Sequence, residues 1–569
     1  MPFVHDPGQL LESKVVLHID GNPVNQGSER QPCILWAYDS DSPIKFVSSI
    51  SISSTFKFRL CGLSCPGRPK DFHQREDKMM RHSTRRATAS GAVAGLLAIG
   101  FVACSRQPAE QPGYAGKTET QAHSFTSEEL NRRTIERRAV DAAIWGMPII
   151  NFDVMRQAFF RDANAAYGDI MFWSRPANWK LQCLTPNTSV RYVFSFVNTS
   201  QDGPVVLELP ATGDAALMGT IVDAWQVPVT DLGLAGEDQG KGGKYLLLPP
   251  GHQGAVPSGY IAIPMKTYNS FVGLRLITKS EDEATVQKAI AYLKHIRIYP
   301  LSKSVAPPQS KYVDMVDTVW DTVPRFDEGL YASLARMLNE EPTQARDSAM
   351  TGMLLPIGIQ KGKDFKPDEA TKAALRAGAQ EAHAWVMDRL VTFGSPFWPD
   401  SKWDVPVPPS AVKSGFTWET EGILDVDARG IAFYSFFCPP KKLGAGQSYL
   451  VTFVDATGQR LSGEKSYRLR VPGDVPVKQF WSVTIYGHAT CALIRNVSRP
   501  SLDSYDQKAK RNADGSTDVY FGPKAPEGME ANWIPTVAGN DWFAYFRLYG
   551  PEQRFFDKTW RLSDIQPVQ

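Results

Sequence analysis

The feature that most constrains this chain is an apolar segment in its interior, preceded by basic residues. From Met79 the sequence is basic as far as Arg86, and a nearly unbroken run of small and apolar residues, 87–103, then ends at Cys104. A basic stretch, a short apolar stretch and a small residue at the cleavage point are the parts of a secretory signal peptide, and this run is too short to span a bilayer comfortably. We therefore expect 79–103 to be a signal peptide, so that the folded protein begins at Cys104.

The residues around the cleavage point also suggest a lipid anchor. Val102, Ala103 and Cys104 resemble the lipobox of bacterial lipoproteins, in which the cysteine thiol takes a diacylglycerol, although Phe101 stands where Leu is usual. The resemblance implies lipidation at Cys104, a location in the periplasm or at the outer membrane, and a polar tether over 104–123. A buried apolar helix and a single membrane anchor are the alternatives.

Residues 1–78 precede a signal that acts only at an N-terminus. The simplest interpretation is that translation begins at Met79 or Met80, so that 1–78 are not part of the native protein. This stretch shows no sustained hydrophobic periodicity. A genuine N-terminal domain followed by an internal anchor is the alternative.

The composition excludes one class of partner and one class of site. The net charge is only +2, spread over 62 basic and 60 acidic residues, so no global field would attract nucleic acid. The cysteine spacings match no zinc pattern. Beyond Cys104 only Cys183, Cys438 and Cys491 remain, and we expect them to be free and buried, as cysteines commonly are.

Hydrophobic periodicity predicts a helix and then a β domain over 124–300. Thr126 and Glu129 have capping-box spacing, and Gly146 with Pro148 is expected to end the helix. Strand-like runs separated by Gly and Pro turns indicate an antiparallel sandwich or barrel, and they are 190–196, 204–209, 217–225, 244–248, 259–264 and 270–277. Ser280 and Glu283 are expected to cap a further helix that runs to about His295.

A helical connecting region is predicted over 301–415, and a second β domain over 416–569. Asp368 suits an N-cap and Gly394 the end of an Ala-rich helix. The second set of strand-like runs is 431–437, 448–454, 465–471, 479–487, 517–521 and 542–549, with a type I′ hairpin turn at Asp514-Gly515. The fold class expected is α+β, mainly β with helices, in which a helical segment joins two jelly-roll or sandwich-like domains.

Ordered motifs in both halves resemble a known family pair. The C-terminal motifs resemble bacterial domain of unknown function family 1214, and they are Tyr467-Arg468, Phe480 to Tyr486, Arg495-Asn496, Asp514 to Ser516, Asn532 to Pro535, Phe546 to Pro551 and Trp560. The N-terminal motifs resemble family 1254, and they are Trp145 to Pro148, Thr185 to Asn187 with Arg191-Tyr192, Asp223, Gly242 to Tyr245 and Pro249 to Gly251. The resemblance implies two jelly-roll-like domains with helices between them and no established chemistry. Ser189 stands where an acid is usual in family 1254, so no role for that acid carries over.

Several well-defined catalytic and metal-binding motifs are absent from the sequence. It contains no G-x-S-x-G elbow and no H-E-x-x-H helix, and the glycines of 236–244 lack P-loop spacing. A calcium loop that would start at Asp425 has Arg429 and Phe436 where oxygen ligands are needed. We therefore expect no metal and no cofactor.

Two groups of residues are candidates for acid–base chemistry. His488 follows a strand-like motif and could act as a general base, with Arg547 as an anion stabiliser. Glu419 and Glu421 would face the same side of a strand, as paired carboxylates require. The alternatives are a strand-end histidine, a buried paired arginine and solvated edge carboxylates.

The candidate ligand-binding residues offer hydrogen-bond donors, one carboxylate and flat aromatic faces. They are Asn187, Arg191, Tyr192, Asp223, Trp225, Trp481, Tyr486, Asn532 and Trp533. Framework roles in turns and cores are the alternative. The favoured hypothesis is binding of a carbohydrate or another small polar ligand. The alternatives are an envelope or secreted hydrolase that uses His488 or a carboxylate with Arg547, and a structural or interaction protein.

Overall fold

The structure, a computed structural model, describes residues 124–442 and 446–568. These residues belong to a compact unit that spans Thr118–Gln569. The expectations for 1–78, for the signal peptide 79–103, for lipidation at Cys104 and for the tether 104–123 concern residues outside the described ranges.

The first helix, α1 (Ser127–Asp162), is longer than predicted. Thr126 caps it as expected, since its hydroxyl accepts a hydrogen bond from the Glu129 N–H at 3.1 Å. The predicted end at Gly146 and Pro148 is wrong. A proline inside a helix removes one backbone donor, but this part of α1 is buried, and Arg429 donates to the Trp145 carbonyl at 3.0 Å. Tertiary packing thus outweighs the local cost of the proline.

The remaining helices are mostly short. They are α2 (Thr199–Asp202), α3 (Glu283–Leu293), α4 (Gly329–Glu340), α5 (Ser348–Met353), α6 (Glu369–Leu390), α7 (Pro409–Lys413), α8 (Val426–Ser435) and α9 (Gln553–Phe556). Asp368 caps α6 as predicted, and Asp282 rather than Ser280 caps α3. α6 ends at Leu390, so Gly394 lies beyond it in the following loop.

Twelve strands of the described residues precede α4. They are β1 (Ile170–Phe172), β2 (Leu181–Gln182), β3 (Arg191–Asn198), β4 (Val205–Leu209), β5 (Ala215–Asp223), β6 (Pro228–Gly233), β7 (Gly243–Leu248), β8 (Ile261–Pro264), β9 (Asn269–Thr278), β10 (Arg297–Pro300), β11 (Tyr312–Asp314) and β12 (Trp320–Asp321). Sheet 1 has the order β11-β1-β3-β9-β5-β6, and sheet 2 has the order β10-β4-β7-β8. Side chains such as Val193, Leu274 and Tyr245 form one core between the two sheets, as in a sandwich.

Twelve further strands of the described residues follow α6. They are β13 (Ser395–Pro396), β14 (Asp404–Val405), β15 (Glu419–Thr420), β16 (Ile423–Leu424), β17 (Gln447–Thr452), β18 (Ser466–Val471), β19 (Trp481–Gly487), β20 (Ser501–Asp503), β21 (Thr517–Gly522), β22 (Trp533–Pro535), β23 (Trp542–Tyr549) and β24 (Gln566–Val568). Sheet 3 has the order β13-β14-β17-β23-β19-β20, and sheet 4 has the order β22-β21-β18-β24. Val483, Phe546 and Leu469 belong to the core between them. The α+β fold class with two sandwich-like parts is confirmed.

Three local predictions for the second half are wrong. The run 431–437 is not a strand, because most of it belongs to α8, whose N-cap Asp425 accepts from the Ala428 N–H at 3.0 Å. An element buried all round gives no amphipathic period that distinguishes helix from strand. Glu421 has φ +53° and lies in the turn between β15 and β16, so it shares no strand with Glu419. At Asp514-Gly515 only Gly515 has positive φ, so the turn is not type I′.

The outer faces of sheets 1 and 3 are covered by helices and by each other. Phe152 and Phe159 of α1 pack against Phe196 of sheet 1, with ring centroids 5.4 and 5.3 Å apart. Tyr434 of α8 and Tyr545 of sheet 3 belong to one core on the outer face of sheet 3. These covered outer faces form the surroundings of the candidate site.

Candidate functional site

A cavity of about 490 Å³ lies between the outer faces of sheets 1 and 3. We call it the inter-sheet cavity. One wall comes from β3, β5 and β9, the other from β17 and β23, and further sides come from the loop 183–187 and the segment 436–440 after α8. Its volume lies within the range of roughly 300–1,000 Å³ found for small-molecule sites.

The sheet 1 wall consists of two cross-strand rows. Arg275 of β9 lies opposite Tyr192 of β3 and Met218 of β5, and in the next row Gly273 lies between Phe194 and Thr220. Because successive side chains of a strand point to opposite faces, the same strands also supply the sandwich core. This wall is therefore mainly apolar, with one guanidinium.

Gly273 leaves room for the residues that close this wall. A Cβ atom at this position would stand 2.7 Å from the Phe271 ring and 2.9 Å from the Cys438 sulfur. Burial raises the pKa of the Cys438 thiol to about 12, so the thiol is protonated at neutral pH. Among the described residues the three cysteines Cys183, Cys438 and Cys491 are free, as expected, although Cys438 is only partly buried.

The sheet 3 wall is built around Arg547. Its guanidinium carbon lies 5.2, 5.5 and 5.1 Å from the ring centroids of Tyr449, Tyr486 and Tyr545. Nη2 donates to the Thr185 carbonyl at 3.1 Å, whereas Nε and Nη1 are shielded from water and have no hydrogen-bond acceptor in the described structure. Guanidinium groups remain protonated in proteins, so this wall carries a buried positive charge that no carboxylate of the described residues pairs with.

Arg275 is the second cation of the cavity and is more accessible than Arg547. Within the described ranges it forms no ion pair with an acid and no hydrogen bond. Burial acts to lower the pKa of its guanidinium, but the phenols of Tyr449 and Tyr192 act in the opposite direction and the pKa is raised overall. Tyr449 comes from the opposite wall, so the polar groups of the two walls lie close together.

One carboxylate of the described residues lines the cavity, and its oxygens already accept hydrogen bonds. Asp231 accepts hydrogen bonds from the Thr220 hydroxyl at 2.9 Å and from the backbone N–H groups of Lys441 and Lys442 at 2.8 and 2.9 Å. These partners tie β5, β6 and the segment after α8 together. Asp231 thus has a structural role and does not neutralise either arginine.

The loop 183–187 is fixed by side chains of both sandwiches. Tyr486 donates to the Pro186 carbonyl at 2.7 Å, and the Asn187 side-chain amide donates to the Tyr549 hydroxyl. The Asn187 backbone N–H donates to the Tyr192 hydroxyl at 2.8 Å. The Thr-Pro-Asn motif therefore serves as the joint where the two sandwiches meet at the cavity.

Three of the predicted site residues line the cavity, and Tyr486 lies beside it. The three are Asn187, Tyr192 and Arg547. Arg191 is on the other face of β3, where it forms a bidentate pair with Glu281 at 2.9 and 2.8 Å. Arg191 and Tyr192 have different environments because successive side chains of a strand point to opposite faces of the sheet.

The other predicted residues of the first half support a turn and a core. Asp223 accepts from the N–H groups of Trp225 and Val227, each at 2.9 Å, and burial raises the pKa of its carboxyl to about 6. Trp225 packs against Trp145 with ring centroids 5.1 Å apart. Neither residue lines the inter-sheet cavity.

The predicted aromatic and amide residues of the second half pack and form hydrogen bonds within sheets 3 and 4. Trp481 stacks on Phe546 with centroids 5.5 Å apart. Asn532 donates to the Asp518 carbonyl at 2.8 Å, and the Trp533 indole donates to the Gly522 carbonyl at 2.9 Å. These contacts account for all three side chains within the sandwich.

His488 is separated from Arg547. It follows β19 and is not among the lining residues of the inter-sheet cavity. Burial and the neighbouring Arg460 lower the pKa of its imidazole to about 4. The structure therefore does not bring His488, an acid and Arg547 into one site.

Sequence reasoning missed Arg275, Tyr449 and Tyr545. A usable signal for Arg275 was its position on an otherwise apolar strand face, after Phe271 and Gly273 at two-residue spacing. The two tyrosines gave no separate signal, because their importance depends on the wall that faces them.

The described residues lack both a membrane-spanning helix and a metal-binding cluster. None of the helices in 124–442 or 446–568 is long and apolar enough to cross a membrane. The same residues contain no group of three or more His, Cys, Asp or Glu side chains arranged to hold a metal ion.

Comparisons with solved structures found distant similarity. The VPA0106 protein from Vibrio parahaemolyticus is 18% identical, and the match covers 76% of this chain and 100% of that one with a TM-score of 0.46. A putative uncharacterized protein from Burkholderia cenocepacia is 13% identical over 77% of this chain and 94% of that one, with a TM-score of 0.34. No curated protein matches the chain.

Comparisons with family models found two matches in the order expected from the motifs. Protein of unknown function (DUF1254) matches residues 168–300, which hold most of the sheet 1 wall. Protein of unknown function (DUF1214) matches residues 446–553, which hold the sheet 3 wall. The chain therefore carries a DUF1254 domain followed by a DUF1214 domain, and the inter-sheet cavity lies where the two meet.

Proposed function

We propose that this chain is a binding protein that holds a small organic molecule in the inter-sheet cavity. The observation that carries the proposal is the cavity itself, which is mainly apolar and contains a few polar groups without protein partners. Small-molecule sites combine such walls with a small number of orienting polar groups. Arg275 has no hydrogen bond within the described residues, and neither do the Tyr449 and Tyr545 hydroxyls.

The character of the walls favours a ligand with an apolar body over a carbohydrate. Each hydroxyl of a sugar needs a hydrogen-bond partner when it leaves water. Phe194, Phe271 and Phe437 form an aromatic run along one side of the cavity, with adjacent centroids 5.0 and 4.9 Å apart. Flat apolar faces of this kind suit an aliphatic or aromatic group.

The hydrolase alternative has less support. The expected base, His488, is not among the lining residues, and the lining thiol of Cys438 is protonated at neutral pH because burial raises its pKa to about 12. A nucleophilic cysteine reacts as the thiolate, which such a pKa disfavours. Asp231 is occupied by three donors, so it is a weak candidate for a base.

A neutral fluorescent probe tests the proposed binding function. N-phenyl-1-naphthylamine should bind the purified protein with 1:1 saturation, and Met218→Trp should weaken binding at least about tenfold by filling the cavity, a loss of about 1.4 kcal/mol. Val305→Trp is the matched control, because residue 305 is 98% exposed and adds the same indole outside the cavity. Absence of saturable binding, or equal weakening by both variants, would contradict the proposal.

Export and lipid anchoring complete the proposal. The support is the sequence from Met79 to Cys104, whose basic and apolar parts suit a signal peptide. A palmitate analogue fed to the native host should label the protein, and Cys104→Ser should remove essentially all the label. An exported product without label would contradict lipidation at Cys104. Peptides from 1–78 in that host would contradict translation from Met79.

A further inference from the structure

We infer that the ligand of the inter-sheet cavity is an amphipathic carboxylate, with its carboxylate on Arg275 and its apolar body against the aromatic run of Phe194, Phe271 and Phe437. The inference rests on the proposed binding function and specifies the chemical class of the ligand. It depends on the charges that line the cavity, on the donors that remain available there and on the contrast with other arginines of the chain.

The charges that line the cavity are unbalanced. Among the described residues, Arg275, Lys442 and Arg547 line it together with a single acid, Asp231. Asp231 accepts three hydrogen bonds from other groups and has no ion pair with either arginine within the described residues. An enclosed positive charge is costly unless it is paired, and an anionic ligand would supply the missing partner.

The donors around Arg275 match the acceptors of one carboxylate. An ionised carboxylate offers about four acceptor positions and accepts a bidentate arginine. Arg275 can supply two donors, and the hydroxyl of Tyr449 on the facing wall can supply a third.

Arg547 has a different role from Arg275. Its Nε and Nη1 are shielded from water, and the rings of Tyr449 and Tyr545 lie over its guanidinium. It therefore contributes positive charge to the wall that faces Arg275, whereas Arg275 makes the direct contact. A single accessible guanidinium favours a singly charged head group.

Other buried arginines of this chain have carboxylate or carbonyl partners within the protein. Arg191 on the opposite face of β3 is paired with Glu281, and Arg156 in α1 is paired with Asp153 and Glu340. Arg429 is also buried and has no ion pair with a described residue, but it donates to the Trp145 carbonyl and lies 5.0 Å from the Trp225 ring centroid. It is not among the residues that line the cavity. Arg275 differs from all of them because it faces an open volume.

Matched ten-carbon ligands test the inference. Decanoate should displace the bound probe at a concentration at least about tenfold lower than 1-decanol, because charged hydrogen bonds add more than neutral ones. Arg275→Met should remove that preference while the probe still binds, and Arg275→Lys should retain part of it. Arg275 forms no hydrogen bond within the described residues, so its replacement leaves no partner group unsatisfied.

A surface arginine variant serves as the control for the loss of a positive charge. Arg175→Met, at a side chain 65% exposed on the surface, should keep the full preference for decanoate. Equal binding of decanoate and decanol, a preference that survives Arg275→Met, or tighter binding of decyl phosphate than of decanoate would overturn the carboxylate assignment. If the unmodified protein does not bind the probe at all, the proposed binding function itself is wrong.

Discussion

Replacing Arg156 with Met is expected to lower the free energy of unfolding by about 3–5 kcal/mol, because it leaves a buried carboxylate without its main partner. Arg156 is 1% exposed and donates to Asp153 at 3.0 and 2.6 Å, to Tyr167 at 2.8 Å and to Asn269 at 3.0 Å. It also pairs with Glu340 of α4. The variant would thus loosen the junction of α1, α4 and β9. Urea unfolding followed by circular dichroism would measure the loss.

The same carboxylate offers a matched control and a partial rescue. Arg336→Met removes the other arginine that pairs with Asp153, but the Arg336 side chain is 40% exposed, so we expect a loss of only about 1 kcal/mol or less. The double change Arg156→Met with Asp153→Leu should recover part of the stability, since an apolar replacement of a buried pair is often tolerated. Equal losses for the two single arginine variants would contradict the assignment.

Stability should fall between about pH 5 and pH 8 by up to about 3 kcal/mol on account of Glu341. Burial raises the pKa of this carboxyl from 4.5 to about 7, even though it accepts hydrogen bonds from the N–H groups of Tyr268 and Asn269 at 2.6 and 2.8 Å. The folded state therefore binds a proton more tightly than the unfolded state. The cost of ionising Glu341 is absent below about pH 4.5, grows through this interval and is complete above about pH 7.

Glu341→Gln isolates this effect from other titrating groups. The variant carries no charge at any pH, so the stability difference between it and the unmodified protein should change by up to about 3 kcal/mol between pH 5 and pH 8. Urea midpoints for both proteins at the two pH values would measure it. A difference that is the same at both pH values would show that Glu341 does not titrate in this range.

Local sequence patterns predicted many of the strands because apolar and β-prone runs bounded by turn residues mark them. The strands that contain Arg191 to Asn198 and Trp542 to Tyr549 lie close to the strand-like runs 190–196 and 542–549, although both strands are buried on both faces. The patterns failed at Pro148 and at α8, where packing on all sides outweighs or hides the helical signal. In both places the deciding contacts come from distant parts of the chain.

The candidate site was predictable only in part, for the same reason. The Thr-Pro-Asn motif drew attention to Asn187 and Tyr192, both of which line the cavity. Arg275 offers only a weak local signal, its place on an otherwise apolar strand face, and its significance depends on Tyr449 from the facing wall. A chemical site formed by two facing sheets has no single local motif, whereas a P-loop or a zinc helix does.

The two walls of the inter-sheet cavity belong to segments that match different family models. Its two guanidiniums come from different family segments, Arg275 from 168–300 and Arg547 from 446–553. Either segment produced alone would present half of a pocket to water and lose the contacts that fix the loop 183–187. The border drawn by the two family models thus runs through the inter-sheet cavity, and both segments are needed to enclose it.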